Sequence, residues 1–215
     1  MTLVAKDTGG SGDFQIAPEG KYLAVCYRIL DLGTQTYQDK AAQKVDLTFE
    51  LHGENLLGDG HAYMTNAEGE PQLDKPLIVS ARFTNSLHEK ANLRGFLESW
   101  RNKAFTQDEL EGFDLAKLEG VAAAVYVIHN HADNGKVYAN IKSITPVEKG
   151  TNKPEPVNPT VVLDLSNFNH DVYNGLSEYM QELIAKSPEY QTAIANDNAP
   201  VEQAATDEPD IEEAF

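Results

Sequence analysis

From Leu77 to Ile144 the chain passes through an apolar strand, one strongly patterned helix and two further strands. Few folds set a single amphipathic helix inside a run of strands. Leu93, Phe96, Leu97 and Trp100 fall at i, i+3, i+4 and i+7, the spacing of a helix with one buried face. Ser86 and Glu89 have the spacing of a capping box, which predicts a helix start there. Lys90, Arg94 and Arg101 project within about 40° of one another at about 100° per residue, so a basic strip is expected beside the apolar one.

The flanking segments carry period-two patterning. Lys21 to Asp31 alternates, which predicts a half-buried strand with Leu23, Val25, Tyr27 and Ile29 inward and Tyr22, Ala24, Cys26 and Arg28 on the opposite face. Residues 32 to 43 read as a long turn carrying Tyr37. Val45 to Leu51 alternates again, with Asp46, Thr48 and Glu50 expected outward, and pairs with the first strand as a hairpin. Residues 52 to 76 break the pattern with Gly53, Gly58, Gly60, Gly69, Pro71 and Pro76, an inserted loop with a small hairpin around Ala62 to Met64.

Leu77 to Thr84 is the third strand, with Ser80 and Arg82 outward. Thr106 and Glu109 repeat the capping-box spacing and open a short helix toward Leu118, ended by Gly120. Val121 to His129 reads as a strand covered on both faces. Asp133, Asn134 and Gly135 turn the chain into Val137 to Val147, with Tyr138, Asn140 and Lys142 opposite Val137, Ala139 and Ile141.

The flanks divide by composition. Residues 1 to 18 are expected to form a flexible arm, 19 to 149 the domain, 150 to 190 a linker with a helix over Val172 to Ile184 that docks on the domain or a partner, and 191 to 215 a disordered acidic tail. Residues 1 to 149 carry 15 Lys+Arg against 21 Asp+Glu, whereas residues 150 to 215 carry 2 against 13, so most of the net charge of −17 belongs to the C-terminal part. Phosphate binding runs on Lys and Arg, but an acidic tail can sit far from a locally basic groove. The lone Cys26 excludes an internal disulfide and suits a reducing compartment. Without an apolar run of membrane-span length or the apolar core of a signal peptide, a cytoplasmic protein with no membrane partner is expected.

The order strand, strand, strand, helix, strand, strand predicts a mainly β chain: a five-stranded OB-fold barrel with its helix between strands 3 and 4, followed by a C-terminal helix and the acidic tail. Another β-barrel or an α+β sandwich would give the same string. An OB face that binds single-stranded DNA combines stacking rings with cations that track the phosphates. Tyr22 and Arg28 on the first strand, Arg82 on the third, Tyr138 and Lys142 on the fifth, Tyr37 and Tyr63 in the two long loops, and Lys90, Arg94 and Arg101 supply that chemistry. The competing reading of each strand tyrosine is core or cross-strand packing.

Nothing in the sequence asks for catalysis, a metal or a cofactor. His129 and His131 lack a third ligand at set spacing, Cys26 has no neighbouring His, and no phosphate-cradling Gly-Lys-Ser/Thr loop or Gly-x-Ser-x-Gly elbow occurs.

At the chain end, Asp207, Glu208, Asp210, Glu212 and Glu213 surround Ile211, and the sequence ends at Phe215. A terminal aromatic with its carboxylate suits an apolar pocket flanked by Arg or Lys. An OB-like domain with a linker and such a tip resembles the single-stranded DNA-binding proteins of bacteria and their phages. The domain is similar to phage-encoded members through Gly20-Lys21-Tyr22, Asp31-Leu32-Gly33, Phe49-Glu50, Leu97-Glu98-Ser99-Trp100 and Tyr138-Ala139-Asn140-Ile141. The resemblance covers roughly residues 19 to 150 plus the tip. It departs at Ala214, where the family has Pro before the terminal Phe.

The resemblance implies a protein that coats single-stranded DNA in replication or recombination and recruits partner proteins through Asp210, Ile211, Glu212, Glu213 and Phe215. Self-association is left open. The alternative is an acidic DNA mimic or adaptor that binds a host replication, repair or defence protein.

Overall fold

The computed structural model describes residues 15–58 and 60–197. Its strands are β1 (Gly20–Tyr37), β2 (Lys40–His52), β3 (Tyr63–Thr65), β4 (Pro71–Pro76), β5 (Ile78–Thr84), β6 (Ala122–His131), β7 (Val137–Thr145) and β8 (Val161–Leu163). Five of them form an antiparallel sheet in the order β5-β2-β1-β6-β7, and the chain is mainly β as expected. The hydrogen-bonded path ends at β5 on one side and β7 on the other. The sheet is therefore not closed into the expected barrel.

The expected turn over residues 32 to 43 is strand. Gln38 and Asp39 both have positive φ, 47° and 61°, the signature of a two-residue hairpin loop whose twist matches its strands. The β1–β2 ladder consequently runs out to Tyr37 and Lys40. The inserted loop does fold into a hairpin, β3 with β4.

A bulge decides which face of β1 is core. Cys26 pairs with Phe49 and Arg28 with Thr48, leaving Tyr27 as the extra residue, and an extra residue exchanges the two faces of a strand. Before it, Tyr22, Ala24 and Cys26 enter the main core; after it, Ile29 does. The inward set expected from alternation is thus inverted over the first half of the strand.

The main core also takes Val45, Leu47, Phe49 and Leu51 from β2 and Val125 and Val127 from β6, and is closed by α1 (Asn92–Arg101) through Leu93, Leu97 and Trp100. The helical face is as expected, but the start is not. Ala91 is the N-cap and gives no side-chain bond, while Ser86 Oγ accepts from the His88 N–H at 3.2 Å in a local turn. Thr106 and Glu109 do form a capping box, on the short α2 (Gln107–Glu111), and a separate 3₁₀ turn holds Leu115–Leu118.

The segment expected to be a linker is structural. β8 adds in parallel to Arg28–Leu30 of β1, beyond the point where β6 stops pairing. Then α3 (His170–Asn174), α4 (Glu178–Ala185) and α5 (Pro188–Asp197) follow, the single expected helix being broken between Asn174 and Glu178. Leu30, Leu32, Leu163, Leu165, Tyr173, Leu176, Met180 and Ile184 make a second core between β1 and this segment. Of the two surfaces expected for docking, the domain and a partner, this segment packs on the domain; residues 191–197, expected to be disordered, are helix. At the other end, Gln15 bonds both the N–H and the carbonyl of Thr65, and Ala17 is buried. The arm over residues 1–14 and the tail over 198–215, with Asp210, Ile211, Glu212, Glu213 and Phe215, lie outside the described residues.

Candidate nucleic-acid interface

The two unpaired sheet edges face each other across a cleft of about 750 Å³. β5 supplies Ile78, Ser80 and Arg82; β7 supplies Tyr138 and Asn140; Asn130 and His131 come from the end of β6. Ile16 and Ala17 also line it, held in place because the His129 ring bonds the Ala17 carbonyl at 2.8 Å and Glu19 accepts the His129 N–H at 2.7 Å. Tyr138 is about half exposed, at 49%. The cleft therefore offers an accessible phenol ring and an imidazole, one guanidinium beside the Asp46 carboxylate, and several amide and hydroxyl groups along a strand edge.

Arg82 is oriented rather than free. Its Nε donates to Asp46 at 3.2 Å and its Nη2 lies 3.9 Å from the Met180 sulfur. Burial works against its charge, but hydrogen bonding to Tyr179 and the nearby Asp46 carboxylate outweigh that and raise its pKa further. A fully charged guanidinium held at the cleft wall can meet a phosphate or a base edge.

Of the ten residues expected to bind DNA, the structure brings only Arg82 and Tyr138 together at this cleft. Tyr22 is fully buried, the consequence of the inverted face, and its phenol oxygen has no partner among the described residues. Arg28 donates to Thr48 Oγ1 from Nε and Nη2, at 3.3 and 3.2 Å. Tyr37 is 73% exposed at the hairpin end, away from the cleft lining. Tyr63 accepts the Gly53 N–H through its hydroxyl and stacks on His61, so it braces the inserted loop.

The basic strip does not form. Lys90 precedes the helix; Arg94 pairs with Glu98 at 3.0 Å; Arg101 pairs with Glu109 and lies against the rings of Phe105 and Phe113, at 4.5 and 5.1 Å from their centroids. Lys142 sits over the Tyr126 ring at 5.7 Å and does not line the cleft.

Of the residues missed as site residues, Ser80 and Asn140 share the alternating faces of Arg82 and Tyr138, whereas Asn130 and His131 carry no pattern of their own; folding gathers them from three separate segments. The expected outward row on β2 is also different. Asp46, Thr48 and Glu50 are all buried, as is His52. Glu50, with no exposed surface, accepts from His52 Nε2 at 2.8 Å, the Val157 N–H at 2.6 Å and Asn158 through its N–H and Nδ2 at 2.9 and 2.6 Å.

Among the described residues no group of three or more His, Cys, Asp or Glu side chains could hold a metal ion. Burial, with the Glu119 charge, pushes the Cys26 thiol up to about 12, so it stays protonated. No helix among the described residues is long and apolar enough to cross a membrane. No family model matches the chain, and no curated protein matches it.

Proposed function

We propose that this protein binds single-stranded DNA along the cleft between β5 and β7, with little sequence preference. One observation carries the reading: an exposed ring, Tyr138, and a fixed guanidinium, Arg82, face a common groove left open by the sheet edges. Stacking on one ring is worth about 1–3 kcal/mol per base, and amides and hydroxyls beside it accept any base. The strand order β5-β2-β1-β6-β7, with the helix between β5 and β6, supports an open OB-like sheet. The resemblance to phage single-stranded DNA-binding proteins supports a role in replication or recombination in a bacterial cytoplasm. On this reading the acidic chain end recruits partner proteins.

Anisotropy of a labelled dT oligomer across a salt series tests it, using the full chain and one lacking residues 198–215. Binding that weakens with salt and tightens without the tail is expected. No binding by either form at low salt overturns the proposal.

A second reading has its own observation. Ile16, Ile78, Val79, Val137 and Ala139 give the cleft an apolar component beside two unpaired strand edges, which suits an extended peptide added as a strand. In that case the protein is an adaptor, and the dT oligomer neither binds nor protects the β7 edge from amide exchange.

A further inference from the structure

Beyond Arg82 lies a second hollow, of about 430 Å³, where β2, β5 and the approach to α1 meet. Lys44, Arg82, His88 and Lys90 line it with the hydroxyls of Thr84 and Ser86, and no carboxylate does. In a chain with 34 Asp+Glu against 17 Lys+Arg, such a concentration of cations runs against composition. Arg82 already has the Asp46 carboxylate, but the repulsion of Lys44 and Lys90 costs folding free energy unless a further anion offsets it.

The two lysines are uncommitted, whereas Arg82 is paired with Asp46. Among the described residues neither Lys44 nor Lys90 makes an ion pair; the Lys44 ammonium donates only to Thr84 Oγ1, at 2.8 Å. His88 Nδ1 accepts the Lys90 N–H at 3.3 Å, which leaves Nε2–H as a donor with no partner among the described residues. The hollow also takes in Ala91 and Asn92, where α1 starts with no capping side chain and no acidic residue in its first turn, so no side chain of that turn competes with an incoming anion.

We propose that this hollow is a phosphate-binding subsite. Because Arg82 borders both spaces, the proposal extends the reading of the cleft as a nucleic-acid track and rests on it for the ligand's source: a phosphodiester of the bound strand, held by Lys44, Lys90 and His88 while a base meets Tyr138. A free phosphate compound has the same chemistry and is the other possible source.

The test uses the full chain and its Lys44→Gln/Lys90→Gln variant, matched by thermal melting. Its probes are a labelled dT oligomer, followed by anisotropy across a salt series, and inorganic pyrophosphate, followed by calorimetry. The variant is expected to bind dT about tenfold more weakly at low salt, with a log–log salt slope reduced by about 1.4 for two lost single-strand contacts. Unchanged dT affinity and slope in the variant overturn the subsite and leave the nucleic-acid reading standing. Pyrophosphate binding that the variant loses, with no dT binding by the full chain, keeps the subsite, assigns it to a free phosphate compound and overturns the nucleic-acid reading. If the full chain binds neither probe, both fall.

Discussion

Arg101 reads in sequence as part of a cationic strip, yet its guanidinium lies against Phe105 and Phe113 and pairs with Glu109, with only 18% of the side chain exposed. Its role is to fasten α2 to the end of α1. Arg101→Ala is expected to cost about 1–3 kcal/mol in urea unfolding, through the lost ion pair and ring contacts, and to leave dT affinity and its salt slope unchanged. Tyr22 gives the opposite case. Its hydroxyl is buried without a partner among the described residues, so Tyr22→Phe is expected to leave stability unchanged or raise it by up to about 1 kcal/mol.

The same burial has a pH consequence. Desolvation raises the pKa values of Tyr22 and Tyr27 above 10.0, with Glu50 and Asp46 adding to Tyr27, and that of Cys26 to about 12 from 9.0. The unfolded chain therefore ionises first, and between the ordinary and folded values it binds fewer protons than the native state. Through these groups stability is expected to fall as pH rises from about 9 toward about 12. Urea midpoints measured across that range check it, and in Tyr22→Phe the decline above about pH 10 should be shallower.

Two short contacts fix the C-terminal elements on the sheet. Gly33 has φ +62°, and a Cβ there would lie 2.4 Å from Ser187 Oγ and 2.8 Å from a Glu189 carboxylate oxygen. Ser187 is fully buried at the junction of α4 and α5, and Glu189 takes the Thr34 N–H at 2.8 Å and its hydroxyl at 2.6 Å. Gly33→Ala is expected to cost about 1–3 kcal/mol from strain and displaced packing. Its faster amide exchange should be confined to α4 and α5, with β6 and β7 unchanged.

Glu50 plays the corresponding part for residues 157 and 158, which it holds across β2 with three hydrogen bonds. Glu50→Gln keeps the shape but replaces one acceptor oxygen by a donor amide, which faces N–H donors. Exchange at the Val157 and Asn158 amides should accelerate markedly. If it does not, the strap is held by something other than this carboxylate.

For the molecule as a whole, composition suggests a boundary near residue 150, and packing denies it. Leu30 and Leu32 belong to a core whose other members lie between Leu163 and Ile184, and buried Glu50 is bonded to Val157 and Asn158 just ahead of that segment. A fragment of residues 19–149 would expose both the apolar side chains and a carboxylate that now has four hydrogen bonds. It is expected to be insoluble or to melt well below the full chain, whereas removal of residues 198–215 should leave the melting temperature within a few degrees. Solubility and calorimetry of the two truncations check this.

Short-range physics is what the sequence by itself determined. Period-two alternation marks Val45–Leu51 as strand, the 3.6-residue period marks the face of Leu93, Leu97 and Trp100, and Asp133-Asn134-Gly135 marks a reversal, because sterics and side-chain direction act within a few residues. The tertiary structure alone decided the rest. The bulge at Tyr27 turned Tyr22 from a surface ring into core, since one extra residue in a ladder depends on the partner strand. Ion pairs with Glu98 and Glu109 neutralise Arg94 and Arg101, and hydrogen bonds to Thr48 hold Arg28 in place, since these partners are brought close only by folding. The cleft itself is an unpaired interval between two strands about 60 residues apart in sequence, and no local pattern can record which strand edges a fold leaves open.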